Sequence, residues 1–367
     1  SGTDVRALAV SCNTLFVGGT FSQVTGALAR NNLVAIDLAT GFPLSAGFAP
    51  PGFGTNSNVN ALAINGNELI VGGAFTNAGS GGSPYLAAFN IATGVKSAWA
   101  PSPDAFVSAV AVNAGTIYAG GGFAMINGGT PRSKAAAFAT GSNVPNAWNP
   151  NVTGIGSVSA IVISGSTAIL GGTFTGGVVG GNARDHFAAV DAATGAGGAY
   201  SGWCAAGAGA PVYTMVASGG NVYFAGGFNG ACGITFYNFG AVSVSTGGAV
   251  GFANGSLHGR EQYRLWPVCR RTWRLPSMSV ACSTTSADAF INTTRNYMGS
   301  TNLTGSAANA WHPNFDGSVM AIAKAGTSVF AGGSFTTVNG SAPLRTELAI
   351  IDASTGVLRP VGALVSR

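Results

Sequence analysis

Chemistry in this chain has few residues to draw on: three histidines, eleven Asp and Glu and five cysteines among 367 residues. A Ser/His/Asp triad or a histidine-based metal centre needs an imidazole beside a partner that sets its tautomer. His312 lies in AWHP where sister segments read AWAP and AWNP, which marks it as a variable strand-end residue. His186, in RDHFAAVD, reads as the residue that starts a strand. Asp37, Asp191 and Asp352 all occupy D-x-x-T-G, where a carboxylate accepts backbone amides and fixes a tight turn ahead of a left-handed glycine. Asp104 and Asp316 are lone acids near turns, and no D-x-[DN]-x-[DN]-G calcium loop occurs. The glycine-rich runs GGVVGGNAR and GSGGSP follow neither Rossmann nor P-loop spacing. These residues predict no catalytic group, no metal ligand and no cofactor, and the ligand-binding residues stay open.

The elements that would position such residues follow from a repeat. LFVGGTF, LIVGGAF, YAGGGF, ILGGTF, YFAGGF and VFAGGSF recur about 50 residues apart, apart from one gap of about twice that. Their repeat positions are Gly18, Gly19 and Phe21; Gly72, Gly73 and Phe75; Gly120, Gly121 and Phe123; Gly171, Gly172 and Phe174; Gly226, Gly227 and Phe228; and Gly332, Gly333 and Phe335. An alternating apolar strand precedes each, such as VRALAV from Val5 or VNALAI from Val59, joined to it by a hairpin-length turn. A third strand ends in the D-x-x-T-G turn, and a fourth segment carries Trp99, Trp148 or Trp311 in W-x-P. Four short antiparallel strands per repeat predict an all-β, seven-bladed β-propeller of four-stranded blades, a single domain over 1–367. The glycines let inner backbones approach closely, and the phenylalanines and tryptophans fill the wedges between blades.

These motifs resemble the delta-60-type β-propeller repeat of secreted and surface-attached bacterial proteins. The resemblance rests on V-x-A-L-A-V, V-G-G-x-F, a basic residue before the third strand (Arg30, Arg184, Arg345), D-x-x-T-G and W-x-P. It covers the chain outside 257–292; a likeness to kelch blades through the glycine pair is at the level of fold. The resemblance implies export or attachment to the cell surface and supplies no reaction. Cys204 and Cys232 fall within one repeat and are the candidate disulfide of such an exported protein, while Cys12 has no obvious partner.

Composition agrees with a folded chain: 58 glycines, 10% aromatic and only 7% charged residues are not the profile of disorder. No charged leader precedes folded-looking sequence and no apolar run reaches membrane-helix length, which predicts a mature or trimmed soluble piece without a membrane span. Five of the 16 Lys and Arg, and two of the 11 Asp and Glu, lie in 257–292. The remainder therefore holds 11 basic and 9 acidic residues, and nucleic acid is not an expected partner.

The stretch 257–292 sits where the missing glycine pair belongs and changes character, with HGREQYRLWPVCRRTWR followed by LPSMSVACSTT. Shifting its reading frame by one nucleotide permits LYVGGLF, so it is read as a frame-shifted sixth blade. As written, it should be irregular, with ordered pairing resuming after Arg295. The functional expectation is an exported or cell-surface binding or structural module, with a glycan or protein ligand at a loop face. The alternative is a lyase or hydrolase acting on polysaccharide or another polymer from the propeller's funnel, and a third reading is a spacer within a longer surface protein.

Overall fold

The computed structural model describes residues 4–24, 28–44, 54–205, 207–234, 238–250, 273–275, 278–282, 288–290, 293–295, 298–301, 310–341 and 347–359. In the first sheet Asp4–Ser11 pairs antiparallel with Thr14–Thr20, which pairs in turn with Leu33–Asp37. The order recurs in the second sheet with Val59–Asn65, Glu68–Gly73 and Leu86–Asn90, and in the third with Val107–Asn113, Thr116–Gly121 and Ala135–Ala139. The fourth holds Val158–Ser164, Thr167–Gly172 and Phe187–Asp191, and the fifth Val212–Ser218, Asn221–Gly226 and Phe239–Ser243. Trp273–Leu275, Met278–Cys282 and Met298–Thr301 make a shorter sixth sheet. The seventh consists of Val319–Ala325, Ser328–Gly333 and Leu348–Asp352. Short continuous apolar runs, buried on both faces, build the second and third strands, as in LFVGG and LVAI. In the first five sheets and the seventh a two-residue turn with a positive φ, 48° at Cys12 in the first, joins the hairpin as the right-handed twist of paired strands requires.

The seven-bladed propeller of four-stranded blades expected from the repeat is not what forms. Among the described residues there are seven three-stranded sheets and five two-stranded ribbons, all separate, and none is closed. The fourth segment of most repeats makes a single bridge to the third strand, as Pro43 does with Ile36, Lys96 with Phe89 and Pro145 with Phe138. In the second and third repeats the tryptophan that follows, Trp99 or Trp148, turns to a carbonyl of the next repeat. The topology gives no support to the delta-60-type or kelch identity. With it fall the propeller-based binding module and the polymer-acting enzyme, both of which presuppose closed blades.

The sixth unit also departs from expectation. Strand pairing is present from Trp273 onward, inside the stretch read as irregular. Its first strand spans three residues against seven in the seventh sheet. Met298 and Ser300 are buried, and the Ser300 hydroxyl donates to the Trp311 carbonyl. His258, Cys269 and Arg345 lie outside the described residues.

Adjacent sheets meet through side chains. A Cβ on Gly18 would stand 2.4 Å from Val59 Cγ1 of the second sheet, and one on Gly120 2.5 Å from Val158 Cγ1 of the fourth. Gly332 meets Val5 in the same way, so the last sheet neighbours the first. The second glycine of each pair answers to its own sheet, since a Cβ on Gly19 would lie 2.0 Å from the Asp4 carbonyl oxygen. In the fifth sheet the register aligns Ala225 and Gly226 with Gly18 and Gly19. Gly227 therefore falls outside the paired strand, and the assignment of the pair to Gly226 and Gly227 is one residue late. Phe21, Phe75, Phe123, Phe174, Phe228 and Phe335 are buried in the clusters between sheets.

Candidate functional site: a cavity among the first strands

Six first strands share one irregularity. Pairing shifts by a residue between Val5 and Ala7, Val59 and Ala61, Val107 and Ala109, Val158 and Ala160, Val212 and Thr214, and Val319 and Ala321. The residues skipped are Arg6, Asn60, Ser108, Ser159, Tyr213 and Met320. A bulge of this kind re-aims its extra residue and is common beside binding sites. The glycine contacts hold the sheets in step: Gly18, paired with Ala7, faces both Val59 and Leu62 of the next first strand. Corresponding positions thus lie at similar levels.

A cavity of about 360 Å³ runs along these strands. Arg6, Asn60, Ser108 and Ser159 line its bulge end; Leu8, Leu62, Val110, Ile161 and Met215 line its middle; Val10, Ile64 and Lys324 line the end nearer the hairpin turns. The bulge end is organised by side-chain hydrogen bonds. Arg6 Nε donates to both Asp4 carboxylate oxygens at 2.9 and 3.0 Å, and its Nη1 reaches Asn60 Oδ1 at 3.4 Å. Asn60 Nδ2 in turn donates to the Val107 carbonyl at 3.3 Å, so three successive sheets are stitched together at their bulges. The half-buried Tyr213 is outside the lining; burial pushes its phenol above the ordinary range.

The residues singled out in the sequence serve elsewhere. Asp37 Oδ1 accepts the Ala39 and Thr40 amides at 2.8 and 2.9 Å, and the Thr40 amide foremost holds its carboxyl below the usual range. Asp191 does the same with Ala193 and Thr194, its pKa lowered chiefly by the Thr194 hydroxyl. Asp352 is lowered first by Arg359, then by the Ser354 hydroxyl and the amides of its own turn. Asp104 accepts the Ala124 amide. Asp316 accepts the Thr336 and Thr337 amides; burial raises its pKa, but hydrogen bonds from Thr336 and Thr337 together outweigh that and lower it. His186 adopts φ 63° with Nδ1 3.3 Å from the Gly172 carbonyl, and burial lowers its pKa. His312 is exposed, its Nδ1 2.6 Å from the Ala310 carbonyl.

Arg184, one of the basic residues noted before a third strand, is buried and donates to the carbonyls of Ala183, Tyr200 and Ser201. Burial lowers its pKa, as it does that of Arg30. Trp99, Trp148 and Trp311 are buried, and each indole N–H donates to a carbonyl at or just past the end of a third strand: Ser142, Asp191 and Asp352 respectively. Trp203 makes the same contact with Val244 and was missed because its segment reads GWCAAG and lacks the proline. Cys204 and Cys232 are disulfide-bonded with Cα atoms 4.2 Å apart, and Cys12 is an exposed free thiol. Among the described residues no group of three His, Cys, Asp or Glu is placed to hold a metal ion, and no helix is long and apolar enough to cross a membrane.

The bulged residues escaped the sequence reading, although a signal was present. In V-x-A the flanking residues are nearly constant, whereas x is Arg6, Asn60, Ser108, Ser159, Tyr213 or Met320. A variable residue, polar in five of the six, sits between two buried ones at the same place each time.

No protein-family model matches the chain, and no curated relative matches it. Among solved structures it is similar to the computationally designed Ika8 protein, with 13% identity and a TM-score of 0.56 over 98% of this chain and 86% of the other. It is also similar to the WD40 repeats of RRP9, with 12% identity and a TM-score of 0.58 over 98% of this chain and 96% of that one. At these identities the likeness is one of fold alone.

Proposed function

We propose that this protein binds and sequesters a small, mainly apolar molecule in the cavity among its first strands. The observation behind the reading is the lining itself: aliphatic side chains and Met215 along the middle, with a few polar groups grouped at one end. Its 360 Å³ falls at the lower end of the range typical of small-molecule sites, which pair apolar walls with sparse orienting polar groups. Six strands from separate sheets contribute to the wall, so the site is preformed and little ordering free energy opposes binding. The Cys204–Cys232 bond supports an oxidising, extracytoplasmic setting for the protein.

Titration with the neutral fluorophore N-phenyl-1-naphthylamine tests the reading. Saturable one-to-one binding is expected, abolished by Ile161→Trp or Val110→Phe in variants whose circular dichroism is unchanged. Absence of saturation, or binding undiminished by both fillings, overturns it.

A further inference from the structure

Among the described residues two cations and no acidic residue line the cavity. Arg6 is already matched by Asp4 in a salt bridge at 2.9 Å. Lys324 makes no salt bridge among the described residues. Its position in the repeat is occupied by Val10, Ile64, Val112, Ile163 and Ala217 in the other sheets, all aliphatic. At the turn end of the cavity, among the described residues, the half-buried Lys324 therefore stands beside the aliphatic Val10 and Ile64.

We propose that Lys324 anchors an anionic head group, so that the ligand of this cavity is an amphipathic anion with an aliphatic body. The inference rests on the cavity reading above and adds the class of ligand. An ammonium bordered by hydrocarbon is poorly served by water on that side, and a carboxylate held against it gains a charge-assisted hydrogen bond stronger than a neutral one. The body of such a molecule would lie along Leu8, Leu62, Val110, Ile161 and Met215, removing apolar surface from water on both partners. A neutral alcohol of equal chain length buries the same surface and forgoes the ionic contact. A cationic amphiphile meets like charge.

Competition of decanoate, decanol and decyltrimethylammonium against N-phenyl-1-naphthylamine reads this preference. Decanoate is expected to displace the probe about tenfold more tightly than decanol, the order of one charge-assisted hydrogen bond. Decyltrimethylammonium should be weakest. In Lys324→Met the ratio of decanoate to decanol affinity should shrink to within about twofold, and Lys324→Arg should retain it. Probe binding with equal affinities for decanoate and decanol, or a decanoate preference that survives in Lys324→Met, overturns the anchor and leaves the cavity reading standing. Failure of the probe to bind at all overturns the cavity reading itself.

Discussion

Trp148 donates its indole N–H to the main-chain carbonyl of Asp191 at 3.0 Å, joining the segment after the third sheet to the turn that ends the fourth. The ring of Tyr118 packs edge-on against it at 5.1 Å, and the Tyr118 hydroxyl donates to the Ala192 carbonyl at 2.9 Å. Two donors from one repeat thus hold adjacent carbonyls of the next. The ladder hydrogen bonds stop at each sheet's edge, so this contact belongs to the joint between sheets.

Trp148→Phe keeps most of the buried ring area and removes the donor, at an expected cost of about 1 kcal/mol. Trp148→Ala also leaves a cavity and should cost about 3–5 kcal/mol. Denaturant midpoints of the two variants separate the hydrogen bond from the packing; an unchanged midpoint in Trp148→Phe would show that the indole N–H contributes nothing.

Gly18→Ala places a methyl against Val59, where a Cβ would stand 2.4 Å from Cγ1. A loss of about 1–3 kcal/mol is expected from overpacking, with a large part restored in the double variant Gly18→Ala, Val59→Ala. Thermal unfolding of the four-member cycle measures the coupling, and simple additivity would rule out the contact as the reason for glycine.

The turn carboxylates Asp37, Asp191 and Asp352 have pKa values lowered in the folded protein by the hydrogen bonds they accept. Their contribution is present above the unfolded carboxylate pKa near ~3.9 and is lost as pH falls toward the lower folded values. Asn90 accepts the equivalent Ala92 and Thr93 amides without a titrating group. The triple variant Asp37→Asn, Asp191→Asn, Asp352→Asn should therefore show a flatter loss of stability below about pH 4, measured by urea unfolding across pH.

Replacing both Cys204 and Cys232 by serine opens a link between residues 28 apart in sequence and should lower stability by about 2–4 kcal/mol. Reduction of the native protein should reproduce the shift in melting temperature, and have no effect on the serine variant.

Peptide mass mapping across 257–292 is expected to find a glycine-pair peptide in place of TWRLPSMSVACSTT, because six other repeats carry the pair at this spacing. Peptides that read through the printed letters would establish the sixth unit as a genuine variant.

The repeat, its three ordered strands and the asparagine or aspartate turns were legible in the chain because they are local: alternation, a short turn and a side chain reaching amides two and three residues on. Val59 opposite Gly73, or Asp37 accepting from Thr40, needs no distant partner to be predicted. The fourth strand was misread because W-x-P looks like strand sequence, whereas its tryptophan is satisfied by a carbonyl some 41–43 residues away in the next repeat. That partner exists only once the sheets are packed. The cavity was hidden for the same reason, since Arg6, Asn60, Ser108 and Ser159 are each an unremarkable x in V-x-A. Local propensity determined the strands; contacts between repeats decided where the fourth segment went, which glycine met which valine, and that the skipped residues of separate strands border one space.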